Sequence, residues 1–579
     1  MKEWYCADLE TTTSEDDCRV WMWGAVQIFN TNNYQWGKDL PSLLNYMFSK
    51  KSSIWYFRNL KFDGEYFLSY LLNNGYTHSE NRWLKDKEFS TLISDKGAFY
   101  NIKIKDKGNT IEIRDSLKII SMSIKDTAKA FGLEETKGEI DYHKLRPIGY
   151  EPDENEKSYQ KNDVIIDAKS LIYFFSKGLE KMTQGSDALF DFKQNIMLGS
   201  KNFEKKFPQI DSKIDEFIRK AYKGGFVYVN PKWKGKDVGE GYVLDVNSLF
   251  PSRMKLCSLP YGQPKYFAGE YKHNKMYTCY VTHFRCMFHV KHGFIPTIQI
   301  KHTLRFQENE YLTSSDGEIV ELYLTSIDFE LFKKHYDIQC LEFIDGYMFK
   351  EKAHPEFAEY VDKWGEIKIK AGKEGNKGLR MVAKLMLNCL YGKFGLSLKV
   401  RSKIPYLKDG IVKYTLSDEE EREGVYLPVA LFITAHARYF TITHAQKVRE
   451  FSIKKYDEDM FLYSDTDSIH TLLPIDDLKE IFEIDSNEIG KWDVESHFTK
   501  ARFIRQKCYM ETIAGEDKPT VAGLPKSMHD MVSYENFKPG TTYKRTEDEC
   551  TESFQGTKKR YKRVKGGVIL VDTHFTIKM

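Results

Sequence analysis

The chain has 579 residues, 41% apolar and 30% charged, a balance that excludes a disordered protein and leaves room for about three to five domains. Nine cysteines run from Cys6 to Cys550, odd in number and without a CxxC pair, which argues against a disulfide framework and against a structural zinc site. A net charge of +3 decides nothing alone, because a basic nucleic-acid channel can be balanced by an acidic surface elsewhere. No apolar run approaches the ~18 residues needed to span a bilayer, and "MKEWYCADLE" lacks the order of a signal peptide, so a cytoplasmic protein with no membrane segment is expected.

From Trp4 to about Asn30 the chain reads as strand, "WYCADLETTT" and "RVWMWGAVQIF" being rich in aromatic and β-branched residues. Helices and strands then alternate to about residue 183, the pattern of an α/β domain, and "SYQKNDVIIDAKSLIYFFSKGLEKM" closes it as a long amphipathic helix. A boundary is expected near "TQGSDAL". In "AYKGGFVYVN", Gly224 and Gly225 interrupt a strand pattern, a sign of a bend or of close backbone approach. "GYVLDVNSLFPS" reads as a buried strand running into a turn at Pro251. Residues 257–355 read as an inserted mixture of short strands and turns, and 356–394 as helix. Residues 396–424 combine a basic strand, a turn at "KDG" and the acidic run "SDEEEREG", whose ordinary place is a solvated loop. "PVALFITAHARYFTITHAQKVREF" resumes as helix before "YSDTDSIH", and the chain ends on the basic "KKRYKRVKGGVIL".

Carboxylates are the chemistry-bearing residues. If "YSDTDSIH" is extended, Asp465 and Asp467 share one face, because successive strand side chains alternate. Two like charges so close repel unless a cation intervenes, and oxygen-only ligands suit magnesium or manganese. The alternative is an Asx turn at a hairpin tip with both carboxylates solvated. A further acid, Asp245 in "YVLDVNSLFP", stands on an apolar strand, and beside Asp467 it could complete a clamp for two ions about 4 Å apart, suited to in-line phosphoryl transfer. A second set lies near the N-terminus. Asp8 and Glu10 are two apart on a strand, Asp63 lies in "NLKFDG", and Tyr159 and Asp163 are four apart on a helix. Four acids and a tyrosine suit metal-activated water attacking a phosphodiester.

In "LRMVAKLMLNCLYGKFG", Arg380, Lys384, Asn388 and Tyr391 form one stripe of a helix, with leucines and a methionine on the other faces. Two cations, an amide and a tyrosine suit a nucleoside triphosphate, the cations on phosphate oxygens and the ring on the nascent base pair. An ordinary amphipathic helix with a solvated basic face is the alternative.

These motifs together resemble the family B DNA polymerases, and among them the protein-primed, terminal-protein-dependent replicative enzymes of small linear-genome phages. "ADLETT", "NLKFDG" and "YQKND" resemble three exonuclease motifs, and "DVNSLFP", "KLMLNCLYGKFG", "ITAHAR", "YSDTDS" and "RQKCY" the polymerase motifs, all in order over nearly the whole chain. The resemblance implies a multidomain α/β and α+β fold: an RNase H-like 3′→5′ exonuclease domain (1–183) and a right-hand polymerase with two insertions. Its implied parts are palm (184–256 and 425–525), fingers (356–395) and thumb (526–579), with a first insertion at 257–355 for terminal protein and a second at 396–424 for processivity and strand displacement.

Site roles follow from the same resemblance. Asp245 and Asp467 are implied to bind the polymerase metals, with Asp465 in support; Lys384 and Arg380, the latter where the family usually has lysine, face phosphates; Asn388 and Tyr391 shape the nucleotide pocket. Phe250 replaces the usual tyrosine, and its ring can still exclude a ribose 2′-hydroxyl. Thr434, Arg438, Lys507 and Tyr509 resemble primer contacts, and Tyr222, Gly224 and Gly225 a motif that passes the primer end between two sites. Asp8, Glu10, Asp63 and Asp163 are implied exonuclease metal ligands, Tyr159 orients water, Lys137 in "TKGEI" stabilises phosphate charge, and Asn59, Phe62 and Tyr142 touch the single-stranded 3′ end. Arg58 stands where these enzymes often have histidine. The basic cluster from Lys558 to Lys565 fits a grip on duplex phosphates. The implied cofactor is magnesium, or manganese in its place, two ions at each site. The implied partners are template and primer DNA, dNTPs and a terminal protein, with a monomer that pairs with terminal protein at initiation in the cytoplasm of an infected bacterium. Two rivals remain: a polymerase of this family using ordinary primers, and a non-catalytic DNA-binding descendant, which would have lost some of these six metal carboxylates.

Overall fold

A computed structural model describes residues 3–142, 144–300, 310–545 and 558–578. Cys550, the stretch 301–309 of the first insertion and the stretch 546–557 of the C-terminal region lie outside the described residues. The first region is built on an eight-stranded mixed sheet. Its strand Trp4–Thr11 pairs antiparallel with Val20–Gln27 and parallel with Ile54–Phe57, which in turn runs parallel to Asn109–Asp115. The helix Glu154–Phe175 closes on this sheet, with a capping box between Asp153 and Glu156 fixing its start. That closure needs a glycine: a Cβ at Gly24 would meet Gln160 Oε1 at 1.6 Å, and Gln160 Nε2 instead donates to Asp8 O at 3.1 Å.

A second sheet carries the palm-like region, with Gly241–Val246 at its centre between Ser468–Thr471 and Trp492–Arg505, and Phe461–Asp465 beyond. The 30-residue helix Leu427–Tyr456 packs behind it. Two helices, Pro355–Lys373 and Lys377–Phe394, pack against each other over the same region. The break between them is local chemistry: Gly375 takes a left-handed φ of 69°, and Asn376 caps the second helix by accepting from Leu379 N at 3.0 Å.

The stretch 257–355 differs from its sequence reading. Instead of short strands it forms a four-stranded antiparallel sheet with strands of up to 18 residues, plus the helix Ser326–His335. Pro260, Gly262 and Pro264 suggest interruption, yet the ladder accommodates them through an irregular register between Tyr261 and Lys265. The hairpin of Lys403–Lys408 and Ile411–Leu416 turns at Asp409 and Gly410 as expected. The C-terminal hairpin, Lys558–Val564 with Gly567–Thr573, docks its tip on the first region: Val564, Val568 and Ile569 enter the same apolar core as Leu9, Phe67 and Ile113.

Candidate active sites

Four acids of the first region gather where the strand Trp4–Thr11 meets two helices. Asp8 and Glu10 leave the strand, Asp63 the first turn of Leu60–Asn73, and Asp163 the helix Glu154–Phe175. Burial raises all four, and a neighbouring carboxylate adds to the rise of each. Asp8 is pushed up to about 7 by burial and by Asp163, with Lys137 pulling the other way. Glu10 rises through burial and the charge of Asp8, and Asp63 likewise. Asp163 rises through burial although Lys137 Nζ lies 2.9 Å from its Oδ2. Asp63 Oδ1 and Asp163 Oδ1 are buried without a hydrogen-bond partner, which in a cluster of raised acids fits a cation-binding set. Tyr159 and Tyr142 share a hydrogen bond at 2.9 Å between hydroxyls, with Lys137 Nζ 5.4 Å from the Tyr159 ring centre. Asn59 and Phe62 flank Asp63 on the rim.

Arg58 has a different position from the one its place in the motif suggests. It turns inward, Nη2 to Asp167 Oδ1 at 2.5 Å and Nη1 to Ile120 O at 2.5 Å, so it braces the helix rather than facing a DNA strand. Asp167, one turn beyond Asp163, escaped the sequence reading; its spacing of four from Asp163 is the signal that could have found it.

The second cluster lies at the centre of the palm-like sheet. Asp465 and Asp467 do not share a strand face: Asp465 ends one strand, Thr466 takes a left-handed φ of 63°, and Asp467 N donates to Asp465 O at 2.7 Å. The tight turn wins over strand alternation, and it separates the two carboxylates by role. Asp465 receives Lys507 Nζ at 2.8 and 2.9 Å and the Tyr463 hydroxyl at 3.2 Å, whereas Asp467 faces Asp245. Asp245 is pushed up to about 7 by burial, then by Asp467, Glu495 and Asp493, with Lys384 opposing. Asp467 is raised by burial and by Asp465 and Glu495, with its own backbone hydrogen bond opposing.

Asp493 and Glu495 were missed in the sequence. Asp493 pairs directly opposite Asp245, and Glu495 sits at an irregular register step between Val494 and Ser496. A D-x-E on a strand was the available signal, but without pairing it had no partner to point to.

The helix stripe holds together: Arg380, Lys384 and Asn388 are exposed on one face of Lys377–Phe394, and Tyr391 stacks on Phe250 with ring centres 4.3 Å apart and planes 21° apart. Tyr509 packs by Tyr463 at 5.1 Å between centres. Thr434 and Arg438 require correction as direct primer contacts. Both are buried. The Thr434 hydroxyl donates to Leu431 O at 3.0 Å, while Arg438 binds Asp328 at 2.6 and 3.0 Å and the carbonyls of Lys223 and Gly224 at 2.7 and 2.9 Å. Through these two carbonyls Arg438 holds the Tyr222–Gly225 loop. Gly225 is seated against the acidic turn, since a Cβ there would meet Thr466 at 2.6 Å, and Thr466 N donates to Phe226 O at 2.7 Å.

Among the described residues no group of three or more acid, histidine or cysteine side chains is placed to hold an ion. No described helix is long and apolar enough to cross a membrane.

Two acid clusters on separate domains, with a cationic helix stripe over the second, define a nucleic-acid polymerase joined to a nuclease-like domain. A family profile described as "DNA polymerase type B, organellar and viral" matches residues 44–154 and 138–472, and the chain belongs to that family of DNA-directed DNA polymerases. Within it the chain is similar to phage enzymes over their full length: 40% identical to the DNA polymerase of Bacillus phage PZA, covering 100% of both, and 33% identical to that of Streptococcus phage Cp-1, covering 100% of this chain and 99% of the other. The fold superposes with a TM-score of 0.90, at 39% identity and full coverage of both chains, on "Phi29 DNA polymerase complexed with primer-template DNA and incoming nucleotide substrates". The architecture is an exonuclease domain joined to a right-hand polymerase, and family membership implies divalent cations.

Proposed function

We propose that the protein replicates a linear phage genome by protein-primed initiation, extends the new strand with strand displacement, and proofreads it in the 3′→5′ direction. The observation that carries this reading is the presence of both carboxylate clusters in one chain that matches phage polymerases end to end. A solved relative holds primer-template DNA and nucleotides, which supports the same partners here. Residues 1–183 take the exonuclease role, 257–355 the terminal-protein role and 396–424 the strand-displacing role.

Asp245 and Asp467 would hold the polymerase cations, and Asp8, Glu10, Asp63 and Asp163 the exonuclease cations, two magnesium or manganese ions at each. When bound, such ions supply charge neutralisation for the attacking and leaving oxygens of an in-line displacement. The chain's own residues do the rest. Lys384 and Arg380 draw the triphosphate along the exposed helix face, while Tyr391 on Phe250 forms an aromatic floor for the sugar and nascent pair. Lys507, fixed on Asp465, stands at the primer end. The terminal-protein or primer hydroxyl attacks the α-phosphorus and pyrophosphate leaves. At the other site Tyr159 and Lys137 orient water and the scissile phosphate.

The test is transfer of labelled deoxyadenylate to candidate terminal proteins of the same genome. Label on the protein with the parent enzyme, lost with Asp467→Ala, establishes protein priming. Extension of an annealed DNA primer with no labelled protein favours a family member that uses ordinary primers.

A further inference from the structure

The C-terminal hairpin reaches across to the exonuclease rim, and a side chain midway along its first strand stands on the residues assigned to the 3′ end. Tyr561 accepts a hydrogen bond from Asn59 Nδ2 at 3.0 Å. Its ring lies 6.2 Å from that of Phe62, tilted by 49°, and Lys61 Nζ sits 5.0 Å from its centre. Asn59, Lys61 and Phe62 of "NLKF" therefore hold a flat ring with a polar edge, which is the chemical description of a nucleobase.

The local backbone is arranged for this contact. Asn59 sits at the start of its helix with φ 66° and ψ 53°, a conformation uncommon outside glycine, and its side chain makes no capping bond. Its main-chain N–H is held by Asp115 Oδ1 at 3.0 Å, so the amide group is aimed outward. The hairpin is firmly seated: Arg563 Nε lies 2.7 Å from the buried Glu65, the Tyr66 hydroxyl donates to Val568 O at 2.7 Å, and a Cβ at Gly567 would meet the Tyr66 ring at 2.6 Å. Tyr561 itself is 40% exposed, its backbone anchored by pairing with Leu570 across the hairpin. Burial at the rim raises its hydroxyl above the usual range, and Asp63 and Asp115 add to that, placing it within the field of the exonuclease acids.

We propose that Tyr561 is a base surrogate that occupies the terminal-base position on Asn59 and Phe62, so that a 3′ end enters the exonuclease site only by displacing it. A paired primer end must then both melt and evict the tyrosine, which sharpens the preference of hydrolysis for ends already frayed. The proposal rests on the reading of Asn59 and Phe62 as 3′-end contacts.

The experiment is steady-state hydrolysis of a single-stranded oligonucleotide by the full-length enzyme, where no melting is needed. Tyr561→Ala is expected to lower KM by about fivefold, the scale of one hydrogen bond and its ring contact, with kcat unchanged. Tyr561→Phe, which keeps the ring and loses the hydroxyl, is expected to lower KM by a smaller factor, and to have no further effect in an Asn59→Ala background. On a primed template, Tyr561→Ala should raise the dNTP concentration at which extension balances degradation. A KM that rises, or that stays constant in both variants, overturns the proposal, because the ring would then be a wall of the pocket or a purely structural contact. If Tyr561→Ala does not fold, as judged by loss of primer extension, Tyr561→Phe decides alone. Persistence of hydrolysis in Asp8→Ala would instead sink the exonuclease reading, whatever Tyr561 does.

Discussion

The two acid clusters solve the same electrostatic problem with different backbones. In the exonuclease domain the carboxylates hang from regular elements, two from one strand and one from each of two helices, and they are buried for the most part with Lys137 among them. In the palm they hang from a turn and from the strand end beside it, open to a cleft, and one of them is already paired with Lys507. Regular elements fix spacing before any partner arrives. A turn leaves the role of each acid to be set by what folds against it.

The sharpest way to break this comparison is to remove one acid from each site. Asp467→Ala should lower primer extension on the order of 10³-fold, and Asp8→Ala should lower hydrolysis of single strands on a similar scale, as steady-state rates will show. If Asp465→Asn matched Asp467→Ala, the division of labour at the turn would be wrong; a smaller loss is expected, because Asp465 acts through Lys507.

Arg438→Leu removes the partner of the part-buried Asp328 and should cost about 3 kcal/mol in denaturant unfolding. Burial works against the Asp328 charge, yet Arg438 beside it holds that carboxylate below its usual range, so the loss should be partly recovered by Asp328→Leu in the double variant.

Tyr391→Ala strips the ring from Phe250 and should raise KM for dNTP by about tenfold with little change in the exonuclease.

The smallest effect concerns pH. Asp245 and Asp8 titrate near 7 in the fold against 3.8 when free, so their contribution to stability is complete below about 4 and is lost as pH rises through about 7. In chelator, Tm should therefore fall by a few degrees between about pH 5 and 8, and magnesium should restore it at the upper end. Asp245→Asn should blunt the fall, and a flat Tm profile would mean that neither carboxylate is strained.

This contrast also explains what was legible in the sequence. Asp8 with Glu10, and Tyr159 with Asp163, could be paired from chain spacing alone because strand and helix periods are fixed. The stripe from Arg380 to Tyr391 was readable for the same reason. For Asp465 and Asp467 the spacing leaves a shared strand face and a hairpin-tip turn both open, and the left-handed Thr466 decides for the turn. Asp493, Glu495 and Asp167 went unnoticed because their relevance comes from neighbours far along the chain. Arg438 was misjudged for a related cause: nothing near it announces Asp328, 110 residues away. In the stretch 257–355, prolines and a glycine that ordinarily end strands were absorbed by a register shift, which no local rule reports.

The Arg438–Asp328 pair bears on how freely this polymerase can be taken apart. Asp328 belongs to the stretch 257–355 and Arg438 to the long helix behind the acidic turn, where Arg438 is buried and the Asp328 side chain is 12% exposed. Excising 257–355 would strip the Arg438 guanidinium of its carboxylate and leave it held only by the carbonyls of Lys223 and Gly224. The insertion is thus grafted rather than appended: a shortened enzyme built for biotechnology, or arising in evolution, would need to change residue 438 at the same time, and deletion variants lacking that second change report on a damaged palm rather than on the missing segment.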